Sequence, residues 1–249
     1  VTEHYPLQVH AYRTKAELGR AAGAHAARHL REVIAQAGAA RVMLAAAPSQ
    51  DATLAALAEA EDIDFSRVTF FHMDDYVGLD PDAPQGFGNW LERNFISTLA
   101  QRPTFHRLDA AAEPEAAAAA YADLMGTEPF DLLLCGLGVN GHLAFNDPGA
   151  DLADPRAVRV VEMDEVSRRQ QHDEGHFPTL EAVPLRAMTV TIPRLLASDL
   201  VICSVPGAPK RAAVAATLDR EPTSEVPGTA LKLHPDAHLY LDEEANPHA

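Results

Sequence analysis

Short apolar runs that alternate with helix-patterned stretches constrain this chain more than any other feature. Val42–Ala46, Val68–His72, Phe130–Cys135, Leu200–Ser204 and Ala237–Leu241 are nearly continuous in apolar side chains. That pattern marks strands buried on both faces, because a half-exposed strand would alternate with polar residues. Between them, Lys15–Ala37 carries Leu18, Ala22, Ala26, Leu30 and Ile34 near helical spacing. Asp51–Ala60, Phe87–Leu99, Glu113–Met125 and Pro209–Thr217 also read as helices. The alanine-heavy tract from Ala110 to Ala120 joins a helix, since alanine loses no side-chain entropy there. Further strands are expected at Ala157–Val161 and Met188–Thr191, with Ala237–Leu241 closing the sheet. Helices between buried strands predict an α/β fold, a mostly parallel sheet sandwiched by helices, in a single domain over residues 1–249.

Charge narrows the partners. With 36 acidic against 20 basic residues the net charge is −16, a field that repels nucleic acid and anionic membrane. No apolar run is long enough to span a bilayer. The opening Val1-Thr-Glu-His-Tyr5 lacks a basic-then-apolar leader, so cytoplasmic residence is expected. Cys135 and Cys203 each sit inside an apolar run, which predicts buried free thiols rather than a disulfide. No metal is expected, for His172, Asp173, Glu174 and His176 match no strong ligand spacing. A small phosphorylated ligand stays compatible with the acidic chain if a local pocket supplies amides and one or two basic side chains.

In parallel α/β sheets ligands bind beyond the carboxyl ends of the strands. Four loops qualify here: Ala47–Gln50, Met73–Tyr76, Leu137–Asp147 and Pro206–Lys210. The third is the richest, because Gly136, Gly138 and Gly141 permit a tight path that could turn amides toward a ligand. His142 and Asp147 follow within one loop, close enough for a hydrogen-bonded pair.

Three segments together resemble the glucosamine-6-phosphate deaminase (isomerase) family, within a superfamily shared with 6-phosphogluconolactonase. They are Phe71-His-Met-Asp-Asp-Tyr-Val-Gly78, Gly136-Leu-Gly-Val-Asn-Gly-His-Leu-Ala-Phe-Asn-Asp-Pro148 and Leu231-Lys-Leu-His-Pro235, in the family's order. The resemblance implies a Rossmann-like α/β sandwich and no cofactor. It implies a small-molecule partner, an amino-sugar 6-phosphate, which with water yields a ketose 6-phosphate and ammonium; glucosamine 6-phosphate is the leading substrate. A homo-oligomer stays open. A 6-phosphogluconolactonase-type hydrolase and a non-catalytic sugar-phosphate sensor are the alternatives.

Residue by residue, the family's pattern makes His142 the group that moves a proton between ring oxygen and anomeric hydroxyl, oriented by Asp147. Asp74 matches the base that takes the C2 proton, and Asp75 would project to the opposite side of the strand as a supporting residue. Many members have aspartate where this chain has Asn140, so the polar set becomes Asn140, His142 and Asp147. Phosphate contacts are expected from Ser49, Gln50 and amides at the start of the following helix, from the turn at Gly138 and Gly141, and from Lys210. Arg168 or Arg169 would add a guanidinium, both falling in the segment where the family places an arginine on the phosphate. The loop Ala46–Asp51 departs from the Thr-Gly-Gly-Thr-Pro-like family loop, lacking glycine and carrying Pro48. The segment from Ser167 to Phe177 is expected to form part of a substrate lid.

Overall fold

A computed structural model describes residues 3–249. Seven strands form one parallel sheet: β1 (Gln8–Tyr12), β2 (Ala40–Leu44), β3 (Val68–His72), β5 (Thr104–His106), β6 (Phe130–Cys135), β9 (Ser198–Val205) and β10 (Ala237–Asp242). Their spatial order is β1-β10-β9-β6-β2-β3-β5, with every neighbouring pair parallel. From the β6–β2 boundary β2, β3 and β5 run outward one way and β6, β9 and β10 the other, with β1 added at the far edge, so the crevice beyond that boundary is where a ligand fits.

Both faces of the sheet are covered, which explains the unbroken apolar runs. On β2, Val42 and Leu44 pack with α1 (Lys15–Ala37) and α2 (Asp51–Ala58), while Met43 faces the side of α4 (Pro114–Met125) and α7 (Arg211–Asp219). The same division separates Leu132 and Leu134 from Leu133 on β6. Gly19 and Gly23 set the α1–α2 distance: a Cβ on either would lie 2.4 Å from Ala52 Cβ or 2.5 Å from Ala56 Cβ. The close approach holds the start of α2, and so Ser49, against the rest of the fold. Cys135 and Cys203 are buried, free and in register on β6 and β9.

Several expectations need correction. The segments at 157–161 and 188–191 do form strands, β7 (Val158–Glu162) and β8 (Arg186–Val190), but in a separate antiparallel sheet. Its third strand is β4 (Asp74–Tyr76), inside what reads as a loop; two adjacent aspartates disfavour a strand by propensity, and pairing with β8 overrides that. β10 does not close the main sheet, because β1 pairs outside it. The edge strands β1 and β5 carry weak apolar signals, being half-exposed or three residues long. α3 (Phe87–Asn94) stops before Phe95 and gives way to a single 3-10 turn, Ile96–Thr98. A short helix, α6 (Ile192–Leu196), joins β8 to β9, and α5 (Glu165–Asp173) occupies most of the expected lid segment.

A histidine cluster ties β1 and β10 to α1. His10 Nε2 lies 2.8 Å from His238 Nδ1, His25 Nδ1 lies 2.8 Å from the Tyr240 hydroxyl, and His238 Nε2 lies 2.9 Å from Asp236. Burial, followed by the neighbouring His238, pulls His25 down to about 4 and also lowers His10. Because the folded state binds these protons less readily than the unfolded chain, stability holds above pH ~6.5 and falls as pH drops toward 4. Urea denaturation between pH 7 and 4.5 is expected to show a loss of about 1 kcal/mol, discounted for the partial exposure of both rings, that is smaller in His25→Gln, where only His10 remains. A pH-independent wild-type midpoint would contradict this.

Candidate active site

The carboxyl ends of the four central strands, β9, β6, β2 and β3, feed one crevice. Ser49, Asp74, Gly138, His142 and Lys210 all line it, with Phe87 and Phe145 as apolar walls. The small second sheet fixes this geometry. Val190 N–H donates to Met73 O at 2.7 Å, holding β4, while Phe145 N–H donates to Thr189 Oγ1 at 3.1 Å and Asn146 Nδ2 to Val190 O at 2.9 Å. One element thereby positions both Asp74 and the loop that carries His142.

Asp74 is only 6% exposed. Burial, reinforced by the negative charges of Asp75 and Asp147, pushes its carboxyl well above the usual carboxylate range. Its backbone is pinned by His72, wholly buried, whose Nδ1 lies 2.9 Å from Asp74 O. The Leu108 amide donates to His72 Nε2 at 3.0 Å, so Nδ1 carries the proton and donates to Asp74. Asp75 faces the other way and accepts from the amides of Phe87 at 3.1 Å and Gly88 at 3.2 Å. A carboxylate there complements the N-terminus of α3.

His142 is fixed on one edge. Its Nδ1 lies 2.7 Å from Asn140 Oδ1, 2.9 Å from Ser167 Oγ and 3.3 Å from Asp147 Oδ1. The Asn140 oxygen also accepts the His142 backbone N–H at 3.2 Å, so it acts as acceptor and Nδ1 as donor. Ser167 Oγ donates to Asp147 Oδ1, whose second oxygen accepts from the Asp164 amide at 3.0 Å. Burial alone would raise Asp147, yet the bonds from His142, Ser167 and Asp164 hold it below the usual carboxylate range. This network assigns the proton to Nδ1 and leaves Nε2, which has no hydrogen-bond partner among the described residues, with its lone pair available. The crevice therefore presents a protonatable carboxyl and an imidazole able to accept a proton.

The phosphate-side expectations divide. Lys210 is buried, donates from Nζ to Leu137 O at 2.8 Å and lines the crevice; burial lowers its affinity for its proton, against an opposing pull from Glu174. Ser49 also lines the crevice. Gln50 does not: it is 1% exposed, and its amide donates to Ser49 Oγ and to Ser204 O, both at 3.1 Å. The amides of Gly138 and Gly141 are likewise spent inside the loop, donating to His142 O at 3.0 Å and Gly138 O at 2.9 Å. Gly138 instead makes room for the imidazole. Asp51 forms an ion pair with Lys15 at 2.8 Å.

Neither arginine lines the crevice. Arg168 turns to the carbonyls of Leu180 and Val183, at 2.8 and 3.1 Å. Arg169 pairs with Glu165 at 2.7 Å and lines an adjoining outer chamber. The inward face of α5 carries Ser167, Gln170, Gln171 and, at its C-cap, Glu174. Val139 N–H donates to Gln170 Oε1 at 3.0 Å, and the Tyr76 hydroxyl to Gln171 Oε1 at 2.8 Å. Sequence pattern alone marks neither Gln170, Gln171 and Glu174 as crevice groups, nor Ser167 and His72 as the groups that hold His142 and Asp74. Spacing of i, i+3, i+4 and i+7 is the signal that marks the α5 set as one helix face.

Residues 13–240 match a family described as glucosamine-6-phosphate isomerases/6-phosphogluconolactonase. A glucosamine-6-phosphate deaminase of Streptococcus sanguinis is 32% identical over 216 residues, covering 87% of this chain and 89% of that protein. One from Streptococcus pneumoniae serotype 4 is 30% identical over 184 residues, covering 74% and 77%. A solved structure of a monomeric glucosamine-6-phosphate deaminase superposes with a TM-score of 0.88 at 27% identity, covering 96% of this chain and 98% of that one. A 6-phosphogluconolactonase from Shewanella baltica gives 0.78 at 16% identity, covering 94% and 96%, a likeness of fold. The chain belongs to the family of glucosamine-6-phosphate isomerases and 6-phosphogluconolactonases.

Proposed function

We propose that this protein, acting as one domain over residues 1–249, is a glucosamine-6-phosphate deaminase that converts glucosamine 6-phosphate and water into fructose 6-phosphate and ammonium. The observation that carries the reading is the shared crevice of Asp74 and His142. His142 Nε2 takes the anomeric hydroxyl proton and returns one to the ring oxygen, which opens the pyranose. Asn140, Ser167 and Asp147 hold the imidazole during both transfers.

Asp74 then removes the C2 proton of the open aldehyde. The electron pair moves into C1–C2 and gives an enolamine; a proton added at C1 leaves an imine at C2. Water adds to that carbon, the C–N bond breaks, and ammonium leaves the ketose. An amino sugar also suits the acidic crevice, because its ammonium favours the ionised form of Asp74 that the reaction needs. Ser49 and Lys210 take the phosphate. Among the described residues no helix is long and apolar enough to cross a membrane, and the two cysteines are free, which supports cytoplasmic residence as part of the proposal.

The substrate is tested by supplying glucosamine 6-phosphate, galactosamine 6-phosphate and 6-phosphogluconolactone to the wild type. Ammonium release from the first at the highest kcat/KM is expected. Lactone hydrolysis without ammonium release would replace this reading with the lactonase one, a reaction in which no C–H proton is removed.

The pH dependence follows from Asp74. The base works deprotonated, and its carboxyl is raised, so kcat/KM falls on the acid side through a value above the ordinary carboxylate range. A profile still flat down to pH ~4 would contradict the assignment.

A further inference from the structure

Lys210 is the sole lysine or arginine lining the crevice among the described residues, and a carboxylate shares that crevice with it. Glu174 caps the C-terminus of α5, with its side chain 26% exposed. It is not a contact counter-ion: Lys210 Nζ donates to Leu137 O, and no carboxylate lies within 4.0 Å of Nζ among the described residues. Glu174 is instead held from its own segment, accepting from Gln170 Nε2 at 2.8 Å, with His176 Nε2 at 3.4 Å. Burial pushes its carboxyl up, but His176, Lys210 and Gln170 bring it below its ordinary value, so it is charged at neutral pH. Glu174 and Lys210 both also line the outer chamber, which places them at the junction of the two cavities.

We infer that Glu174 sets substrate affinity, weakening binding of the substrate's anionic end by presenting a carboxylate to the place where a phosphate meets Lys210. The inference rests on the sugar-phosphate reading above. The fold supplies opposed fields there. The start of α2 beside Ser49 offers the positive end of a helix, and Lys210 adds a full charge. From the other side, the C-terminus of α5 brings the negative end of its dipole and the Glu174 carboxylate together. Within the crevice Lys210 alone offsets that repulsion, for Arg168 turns to backbone carbonyls, and Arg169 and Lys15 of the outer chamber are paired with Glu165 and Asp51. A bound phosphate therefore interacts with a nearly neutral pair rather than a cationic cluster. Such a site holds a phosphorylated sugar loosely and turns over at high substrate concentration.

The test compares the full-length wild type with Glu174→Gln, which keeps the shape and removes the charge. Two readouts are needed: KM for glucosamine 6-phosphate in ammonium release, and the binding constant for inorganic phosphate by calorimetry. Removing one carboxylate several ångströms from a phosphate is expected to tighten both about tenfold, with kcat within about twofold. Asp173→Asn removes the same charge from the exposed neighbour and is expected to change neither. If Glu174→Gln lowers the thermal midpoint, Glu174→Ala serves instead, with the same tightening expected. Unchanged or weaker phosphate binding in the Glu174 variant, or an equal gain in Asp173→Asn, overturns the inference while wild-type turnover preserves the deaminase reading. Tightened phosphate binding in Glu174→Gln beside a wild type that releases no ammonium sustains the inference and removes the deaminase reading. Failure of both wild type and variant to bind phosphate removes the phosphate reading and this inference with it.

Discussion

Asp74→Asn is expected to lower kcat for ammonium release by about 10²–10⁴-fold, the usual contribution of a positioned general base, with KM changed only a few-fold. The asparagine is nearly isosteric and cannot accept the C2 proton. The folded state should tolerate it well. Asp74 is buried beside Asp75 and close enough to Asp147 to feel its charge, so removing one charge relieves repulsion rather than leaving a partner unpaired. The thermal midpoint is therefore expected to hold or rise. A variant that keeps more than about a tenth of wild-type kcat would remove Asp74 from the role of base.

Gly138→Ala is expected to cost activity and stability together. A Cβ at position 138 would lie 2.0 to 2.2 Å from three atoms of the His142 ring, far inside any tolerated contact. The backbone cannot retreat easily, because Gly138 N–H donates to His142 O at 3.0 Å and Gly138 O accepts from Gly141. The imidazole must then leave the contacts with Asn140, Ser167 and Asp147 that fix its proton on Nδ1. A loss of about 10²-fold or more in kcat follows if ring opening depends on that geometry, with about 1–3 kcal/mol of overpacking strain in urea denaturation. Near wild-type turnover in a folded Gly138→Ala protein would show that the position of the imidazole does not matter to the reaction.

What the sequence reveals depends on where each element lies. β2, β3, β6, β9 and β10 are covered on both faces, so their residues form apolar runs that need no tertiary knowledge to read. β4 is the opposite case: Asp74 and Asp75 belong to a strand only because β8 pairs with them. The direction of a side chain or amide is harder still. Gln50 lies in the expected loop but turns inward to Ser204, and the amides of Gly138 and Gly141 close their own turn instead of facing the crevice.

Helix phase decides the arginines. Once α5 runs from Glu165, Ser167, Gln170, Gln171 and Glu174 share the inner face, and Arg168 and Arg169 fall outside it. Treating that segment as a lid without a period hides both facts. His142, Asp74 and Lys210, by contrast, follow strands whose ends are readable, and the structure brings all three into one crevice.

The most direct test of the account is turnover of glucosamine 6-phosphate in deuterium oxide, followed by NMR of the product beside an ammonium assay. The account predicts fructose 6-phosphate and ammonium in equal amounts, with deuterium at C1 of the product wherever Asp74 exchanges the C2 proton with solvent before returning it. Folded wild-type protein that releases no ammonium, or that yields ammonium without a ketose, would contradict the account.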